Sequence, residues 1–199
     1  MAARKINYGA ALFGLLIVIA LAVLGYSAFQ WLAGNTPSAV PPQESPAAAA
    51  SDIIVSQQPK PVPDKTFTDD AGGTHRLTDY KGSYVLVNFW ATWCAPCKLE
   101  LPSLAALKSK FSGNQLKVIT ISVDKSPAIA AKYLAQNGLT SLDSYTDPSL
   151  DLSIALGANA LPTTVLIDPA SNVIGRHVGG TKWDEPSAVA QLKKIIAKG

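Results

Sequence analysis

The two cysteines of this 199-residue chain stand three positions apart, in the string Trp93-Cys94-Ala95-Pro96-Cys97. Two thiols at this spacing can close a small disulfide ring and open it again, so the pair is a candidate two-electron switch. A separate structural disulfide or a four-thiolate metal site would need further cysteines, and the sequence contains none. The chemistry of the chain is therefore predicted to lie in this pair.

A buried strand and a helix are predicted on either side of the cysteines. Tyr84–Trp90 is a nearly continuous apolar run, which is typical of a strand covered on both faces, and Trp90 is expected in the core. Beyond it, Leu99 and later apolar residues recur at helical spacing and predict a helix over Cys94–Phe111. Cys94 would then lie at the helix N-terminus, where unpaired N–H groups and the helix dipole stabilise a thiolate.

This placement predicts different roles for the two sulfurs. Cys94 is expected to be the exposed nucleophile, and Cys97, one turn further and more buried, is expected to resolve the mixed disulfide. Pro96 lies within the first turn, where its missing N–H costs nothing, and it stiffens the bridge between the cysteines. Trp93 is predicted to form a partly exposed contact surface beside the site, whereas Trp183 could belong to the core or to the site.

A structural zinc half-site is the alternative explanation for such a pair. Zinc would need two further ligands, and the only histidines, His75 and His177, lie far apart in the sequence without ligand spacing. No metal and no other cofactor is therefore predicted.

The rest of the domain alternates between strand and helix patterns. A short hairpin is predicted at Thr66–Asp69 and His75–Leu77, followed by a helical turn at Leu77–Tyr80. Further strands are predicted at Leu116–Val123, Asp143–Thr146, Thr163–Ile167 and Val173–Val178, and further helices at Pro127–Gln136, Leu150–Leu156 and about Glu185–Ala197. This order predicts an α/β fold whose central sheet is covered by helices.

The N-terminal region is predicted to hold the chain in a membrane. Ala10–Ala33 is 24 residues long and nearly all apolar. A helix of this length extends about 36 Å, enough to cross a hydrocarbon core of about 30 Å. Arg4 and Lys5 precede it and predict a cytoplasmic N-terminus. The alternative is a cleaved signal peptide with Ala20-Leu21-Ala22 as its site; both place Lys60 onward outside the cytoplasm.

Four segments are therefore predicted along the chain. They are a cytoplasmic N-terminus (1–9), a transmembrane signal-anchor helix (10–33), a tether rich in Pro, Ala and Ser (34–63) and one globular domain (64–199). The tether holds seven of the fourteen prolines and is too polar to fold by itself. The net charge of +3 comes from interspersed acids and bases, so binding to nucleic acid has no electrostatic support.

The cysteine region also resembles a known family. The string VLVNFWATWCAPC at Val85–Cys97 closely resembles the thioredoxin superfamily, and within it the membrane-anchored TlpA/ResA group of bacterial thiol-disulfide oxidoreductases. Lys98–Pro102 and Leu161–Thr164 match further motifs, and the tail Gly179–Trp183 is most similar to TlpA. The resemblance covers about residues 59–199 and implies a thioredoxin-like fold with an N-terminal hairpin extension.

The resemblance implies roles for residues outside the cysteine motif. Pro162 would be a cis-proline that leaves the Leu161 backbone free to pair with an extended substrate; a trans proline that ends a loop is the alternative. Glu100 would tune the pKa values of the thiols and exchange protons with them; the alternative is a solvated carboxylate. Asn88 stands where classical thioredoxins carry a buried aspartate.

The resemblance further implies a periplasmic enzyme on the bacterial inner membrane that reduces cysteine pairs in specific exported proteins. In the group this serves cytochrome c maturation or assembly of the copper centre of cytochrome oxidase. The expected partners are therefore cytochrome c precursors, an oxidase subunit or its copper chaperone, together with a transmembrane thiol electron donor.

Three other functions are compatible with a cysteine pair on this kind of fold. A copper-delivering chaperone is the leading alternative, although such chaperones have one more residue between their cysteines. A peroxidase would carry Pro-x-x-x-Thr-x-x-Cys, which is absent around Cys94. A general oxidant of the DsbA type needs an inserted helical subdomain, and the 36 residues between Asp124 and Leu161 leave no room for it.

Overall fold

The computed structural model describes residues 21–27, 29 and 53–198. The predicted cytoplasmic N-terminus, most of the predicted membrane helix (10–33) and residues 34–52 of the predicted tether lie outside the described residues. Residues 21–27 and 29 are helical, with exposed side chains. Among the described residues, no helix has the length and apolar character needed to span a membrane.

Within residues 53–198 the chain forms eight strands and four α-helices. The strands are β1 (Ile54–Pro61), β2 (Thr66–Asp69), β3 (Thr74–Arg76), β4 (Tyr84–Trp90), β5 (Leu116–Ser122), β6 (Tyr145–Thr146), β7 (Thr163–Ile167) and β8 (Asn172–Val178). The helices are α1 (Ala95–Lys108), α2 (Pro127–Gln136), α3 (Asp151–Ala155) and α4 (Pro186–Ile196), with a 3₁₀ turn at Leu77–Tyr80. Apart from β1, every element was predicted, and the predicted ends lie within a few residues of the observed ones.

The strands form one mixed sheet in the order β1-β8-β7-β4-β5-β6-β2-β3. The central strand β4 pairs in parallel with β5 and antiparallel with β7. The predicted β2–β3 hairpin lies at one edge, where β2 joins the sheet by antiparallel pairing with β6. The predicted α/β class with a central mixed sheet and an added hairpin is therefore confirmed.

Strand β4 supplies both apolar cores and determines which of its side chains face the cysteine helix. Leu86 and Trp90 belong to the cluster that contains the buried side chains of α1, α2 and α4. Val87 and Phe89 belong to the opposite cluster, together with the buried side chains of α3. Because side chains alternate along a strand, Asn88 shares the face of Leu86 and Trp90 and points toward α1.

The prediction that the tether extends to Pro63 is wrong, because residues 54–61 form strand β1. This strand pairs antiparallel with β8. Ile53, immediately before it, is buried, and its backbone N–H and carbonyl both bond to the side-chain amide of Gln191 on α4, at 3.1 and 3.4 Å. Composition predicted no fold for this segment because its partners lie more than 110 residues away in the chain.

Gly175 on β8 makes room for Ile53, and an added methyl group is expected to detach β1. A Cβ at position 175 would lie 2.5 Å from Cγ2 of Ile53 and 3.7 Å from Cβ of Leu166. We expect Gly175→Ala to lower the free energy of unfolding by about 1–3 kcal/mol. Amide hydrogen exchange should quicken at residues 53–61, with Gly113→Ala as the control because its Cβ would meet open space. Equal unfolding midpoints and exchange rates for the two variants would contradict this account.

Candidate active site

Cys94 lies in the turn between β4 and α1 and caps the helix. Its backbone N–H donates to the carbonyl of Ala91 at 3.1 Å, and its sulfur accepts a hydrogen bond from the backbone N–H of Cys97 at 3.3 Å. The two sulfurs are joined in a disulfide. When the disulfide opens, the same N–H group and the partial positive charge of the helix N-terminus favour a thiolate on Cys94.

The two cysteines differ in exposure less than the sequence predicted. Cys94 is 6% exposed and Cys97 is fully buried. Cys97 is the more buried of the two, as predicted, but Cys94 is not the exposed residue that the sequence predicted. In the disulfide its sulfur lies against the first turn of α1, bonded to the sulfur of Cys97 and in contact with the backbone N–H of Cys97.

Glu100, one helical turn after Cys97, is buried, so a solvated carboxylate is excluded. Its side chain is 2% exposed. Oε1 accepts a hydrogen bond from Nδ2 of Asn88 at 2.7 Å, and Oε2 accepts from the backbone N–H of Thr181 at 3.1 Å and from Nε1 of Trp183 at 3.3 Å. Burial raises the pKa of Glu100 to about 7, although these three donors act to lower it. A carboxyl group with such a pKa can exchange protons with a thiol near neutral pH.

Asn88 connects Glu100 to the start of β7. Its Nδ2 also donates to Oγ1 of Thr164 at 2.9 Å, whereas its buried Oδ1 has no hydrogen-bond partner among the described residues. This orientation suits an ionised Glu100, because a carboxylate can only accept. Rotation of the amide would present Oδ1 to a protonated Glu100, so the same side chain can serve both protonation states.

The Leu161–Pro162 peptide bond is cis, as the resemblance implied. Pro162 is buried, and its carbonyl accepts a hydrogen bond from the backbone N–H of Gly179 at 2.9 Å. Leu161 is half-buried and packs against the apolar cluster that contains both cysteines. The loop before β7 therefore lies beside the same cluster as the disulfide.

Asp124, at the end of β5, fixes the turn that precedes Cys94. Its Oδ2 accepts hydrogen bonds from the backbone N–H of Thr92 at 3.0 Å and from Oγ of Ser122 at 2.7 Å. Its Oδ1 accepts from Oγ1 of Thr92 at 2.9 Å. Sequence reasoning did not predict this role; the available signal was a carboxylate following a buried strand that runs parallel to β4.

The surface around the disulfide is apolar. Trp93 is 69% exposed, which agrees with its predicted role as a contact surface. Leu99 is 83% exposed, unlike Leu101, Leu104 and Leu107 of the same helix, which are buried. A surface pocket of about 260 Å³ lies beside Leu99 and is lined by Pro96, Leu99, Glu100, Gly180, Thr181 and Lys182.

The two histidines lie in different parts of the structure. His75 contacts the carboxylate of Asp69 at 2.8 Å in the β2–β3 hairpin. The ring of His177 lies edge-on to Trp183, with 5.4 Å between the ring centroids. Across the part of the chain that the structure describes, no group of three His, Cys, Asp or Glu side chains is arranged to hold a metal ion. That the protein uses no metal stays a prediction.

Comparison with known proteins gives similarities to thiol-disulfide oxidoreductases. A profile of the AhpC/TSA family matches residues 59–176. The thiol-disulfide oxidoreductase ResA of Geobacillus thermodenitrificans is 35% identical over 112 residues, which are 56% of this chain and 64% of that protein. ResA of Bacillus thuringiensis is 31% identical over 136 residues, which are 68% of this chain and 77% of that protein. The chain thus spans less than two thirds of the Geobacillus relative.

A solved structure supports the same fold. The exposed lipoprotein thioredoxin of Streptococcus pneumoniae is 28% identical and superposes with a TM-score of 0.57. The superposition covers 66% of this chain and 99% of the pneumococcal one. The fold is therefore thioredoxin-like.

Proposed function

Since the chain belongs to the AhpC/TSA family and to the ResA group of thiol-disulfide oxidoreductases, we propose that it catalyses thiol-disulfide exchange through Cys94 and Cys97. One observation carries the proposal: Cys94 caps the N-terminus of α1 in a disulfide with a buried Cys97, and a buried carboxyl group lies one turn further. This arrangement supplies a nucleophile, a resolving thiol and a proton acceptor.

The proposed reaction is the reduction of a client disulfide by the dithiol form. The Cys94 thiolate attacks one client sulfur; a Cys94–client disulfide forms, and the other client sulfur leaves as a thiolate that takes up a proton. Cys97 then loses its proton and attacks the Cys94 sulfur, which releases the second client thiol and leaves the Cys94–Cys97 disulfide. Two electrons pass to the client.

Glu100 is proposed to accept the proton of Cys97 during the second step. The two residues stand three positions apart on α1, so they share one face of the helix. Cys97 is fully buried, and a nearby base is needed because water has little access to its thiol.

The client is proposed to bind across the exposed apolar surface beside the disulfide. Trp93 and Leu99 provide apolar area, and the half-buried Leu161 precedes the cis-proline. An extended client segment that pairs with the Leu161 backbone would place its cysteine at Cys94, and its main-chain hydrogen bonds would be independent of sequence.

The proposed setting is the outer face of the bacterial inner membrane. Its support is the 24-residue apolar segment at 10–33 and the pneumococcal structural relative, which is an exposed lipoprotein. The proposed clients are exported proteins with cysteine pairs: cytochrome c precursors, an oxidase subunit or its copper chaperone. A transmembrane thiol carrier is proposed to return the electrons.

Trapping the clients tests this proposal. Cys97→Ser removes the resolving thiol, so the full-length variant expressed in its native host should accumulate Cys94–client disulfides in the membrane fraction. The adducts should disappear on reduction with dithiothreitol, and mass spectrometry should identify one of the proposed clients. The control is Cys94→Ser combined with Cys97→Ser, which should give no adducts. Adducts with many unrelated exported proteins would contradict a dedicated reductase.

A further inference from the structure

One loop near the C-terminus supplies two of the three hydrogen bonds that the Glu100 carboxylate accepts. The loop, here called the Trp183 loop, comprises Gly179–Trp183 between β8 and α4. The backbone N–H of Thr181 and the indole N–H of Trp183 both donate to Oε2 of Glu100. Every other described partner of this carboxylate comes from β4, through Asn88.

The Trp183 loop is fastened along the first turns of α1. The backbone N–H of Trp183 donates to Oγ of Ser103 at 3.0 Å, and this hydroxyl donates in turn to the carbonyl of Glu100 at 2.7 Å. At the other end, a Cβ on Gly180 would lie only 3.4 Å from the carbonyl oxygen of Pro96. The backbone of the Trp183 loop is thus held against α1 by contacts that do not involve the Glu100 carboxylate.

A second buried tryptophan indicates that this hydrogen bond is not a general requirement of burial. Trp90 and Trp183 are both buried in the same apolar cluster. Nε1 of Trp90 has no hydrogen-bond partner among the described residues, whereas Nε1 of Trp183 bonds to a carboxylate. Hydrogen bonds to a charged group are stronger than those between neutral groups.

The neighbouring elements bring few other titratable groups toward this carboxylate. Cys97 lies on α1 itself, and Lys182 of the Trp183 loop lines the same surface pocket but is exposed and pairs with Glu185 at 3.7 Å. His177 on β8 contacts the ring of Trp183, and the strands β4 and β7 contribute the uncharged Asn88 and Thr164.

We propose that Trp183 is a positioning residue of the dithiol reaction: its indole N–H, together with the Thr181 N–H, holds the ionised Glu100 carboxylate on the Cys97 face of α1. The proposal rests on the function proposed above for Glu100. It assigns the tryptophan a role in proton transfer, beyond its role as apolar core. Loss of the indole N–H removes a donor that stabilises the ionised form, so Glu100 should then ionise at higher pH.

The test compares Trp183→Phe with Trp90→Phe in the reduced full-length protein. Both changes replace a buried indole with a smaller phenyl ring, but only Trp183→Phe removes a hydrogen bond. The rate of alkylation of the dithiol by iodoacetamide is followed from pH 5 to 9, and Glu100→Gln identifies the inflection that belongs to Glu100. We expect that inflection to move upward by about one pH unit in Trp183→Phe and to stay unchanged in Trp90→Phe.

Two results would overturn the role of Trp183 alone. In the first, Glu100→Gln abolishes the inflection but Trp183→Phe leaves its pH unchanged; in the second, the two tryptophan variants shift it equally. Coincident profiles for the wild type and Glu100→Gln would overturn the function proposed for Glu100. Ser103→Ala provides a second variant should Trp183→Phe fold poorly; because it releases the loop, the inflection should rise, and an unmoved inflection would count against the proposal.

Discussion

Replacing Cys94 with serine is expected to lower the rate of disulfide reduction by at least about a thousandfold, because the attacking thiolate is lost. Cys97 cannot take its place, since its side chain is fully buried behind the first turn of α1. The helix N-terminus and the donated hydrogen bond act on the sulfur at position 94. The remaining thiol should therefore react slowly with disulfides from outside the protein.

Alkylation of the reduced protein, followed by mass spectrometry, measures this difference directly. Cys97→Ser, the matched control, should retain one rapidly alkylated thiol, and Cys94→Ser should retain one slowly alkylated thiol. Comparable alkylation rates for the two variants would contradict the assignment of nucleophile and resolving thiol.

The second large effect is expected in the stability of the oxidised protein as a function of pH, and it comes from Glu100. Its pKa rises from the ordinary value of 4.5 to about 7 in the folded state, mainly through burial. Between these values the folded state binds more protons than the unfolded state, so stability falls as pH rises. Above pH 7 the buried charge costs roughly 3 kcal/mol relative to acid conditions.

Urea unfolding of the disulfide form at pH 5 and pH 8 tests the sign and the size of this effect. Glu100→Gln should remove this loss, so the stability of the variant relative to the wild type should rise by roughly 2–3 kcal/mol from pH 5 to pH 8. The amide remains able to bond, because Asn88 can rotate to present its unpaired Oδ1. Glu185→Gln, which alters an exposed glutamate, should leave the pH dependence as it is. A constant margin would contradict a raised pKa for Glu100.

Local patterns predicted most elements because each depends on nearby residues. The apolar run Tyr84–Trp90 is strand β4, and the proline at position 127 begins α2. The position of Cys94 at the start of α1 followed from the end of one pattern and the beginning of the next. The same kind of pattern placed Leu99 on the helix correctly, but spacing alone does not say which helix face a neighbour covers, and Leu99 is exposed.

Strand β1 could not be predicted from its own residues. Its sequence, IVSQQPKP, is polar and contains two prolines. It forms a strand because the edge of β8 pairs with it and because the missing side chain at Gly175 leaves space for Ile53. Both partners lie more than 110 residues further along the chain.

By itself the sequence determined the cysteine pair and its place at a helix N-terminus, and it predicted that Cys97 is the more buried of the two. These features lie within one strand–helix junction of about fifteen residues. Only the tertiary structure decided that Glu100 is a buried group with a raised pKa, because its burial and its donors come from residues up to 83 positions away. The physical reason is that the spacing of two thiols depends only on nearby positions in the chain, whereas the pKa of a buried carboxyl group depends on every group that folding brings to it.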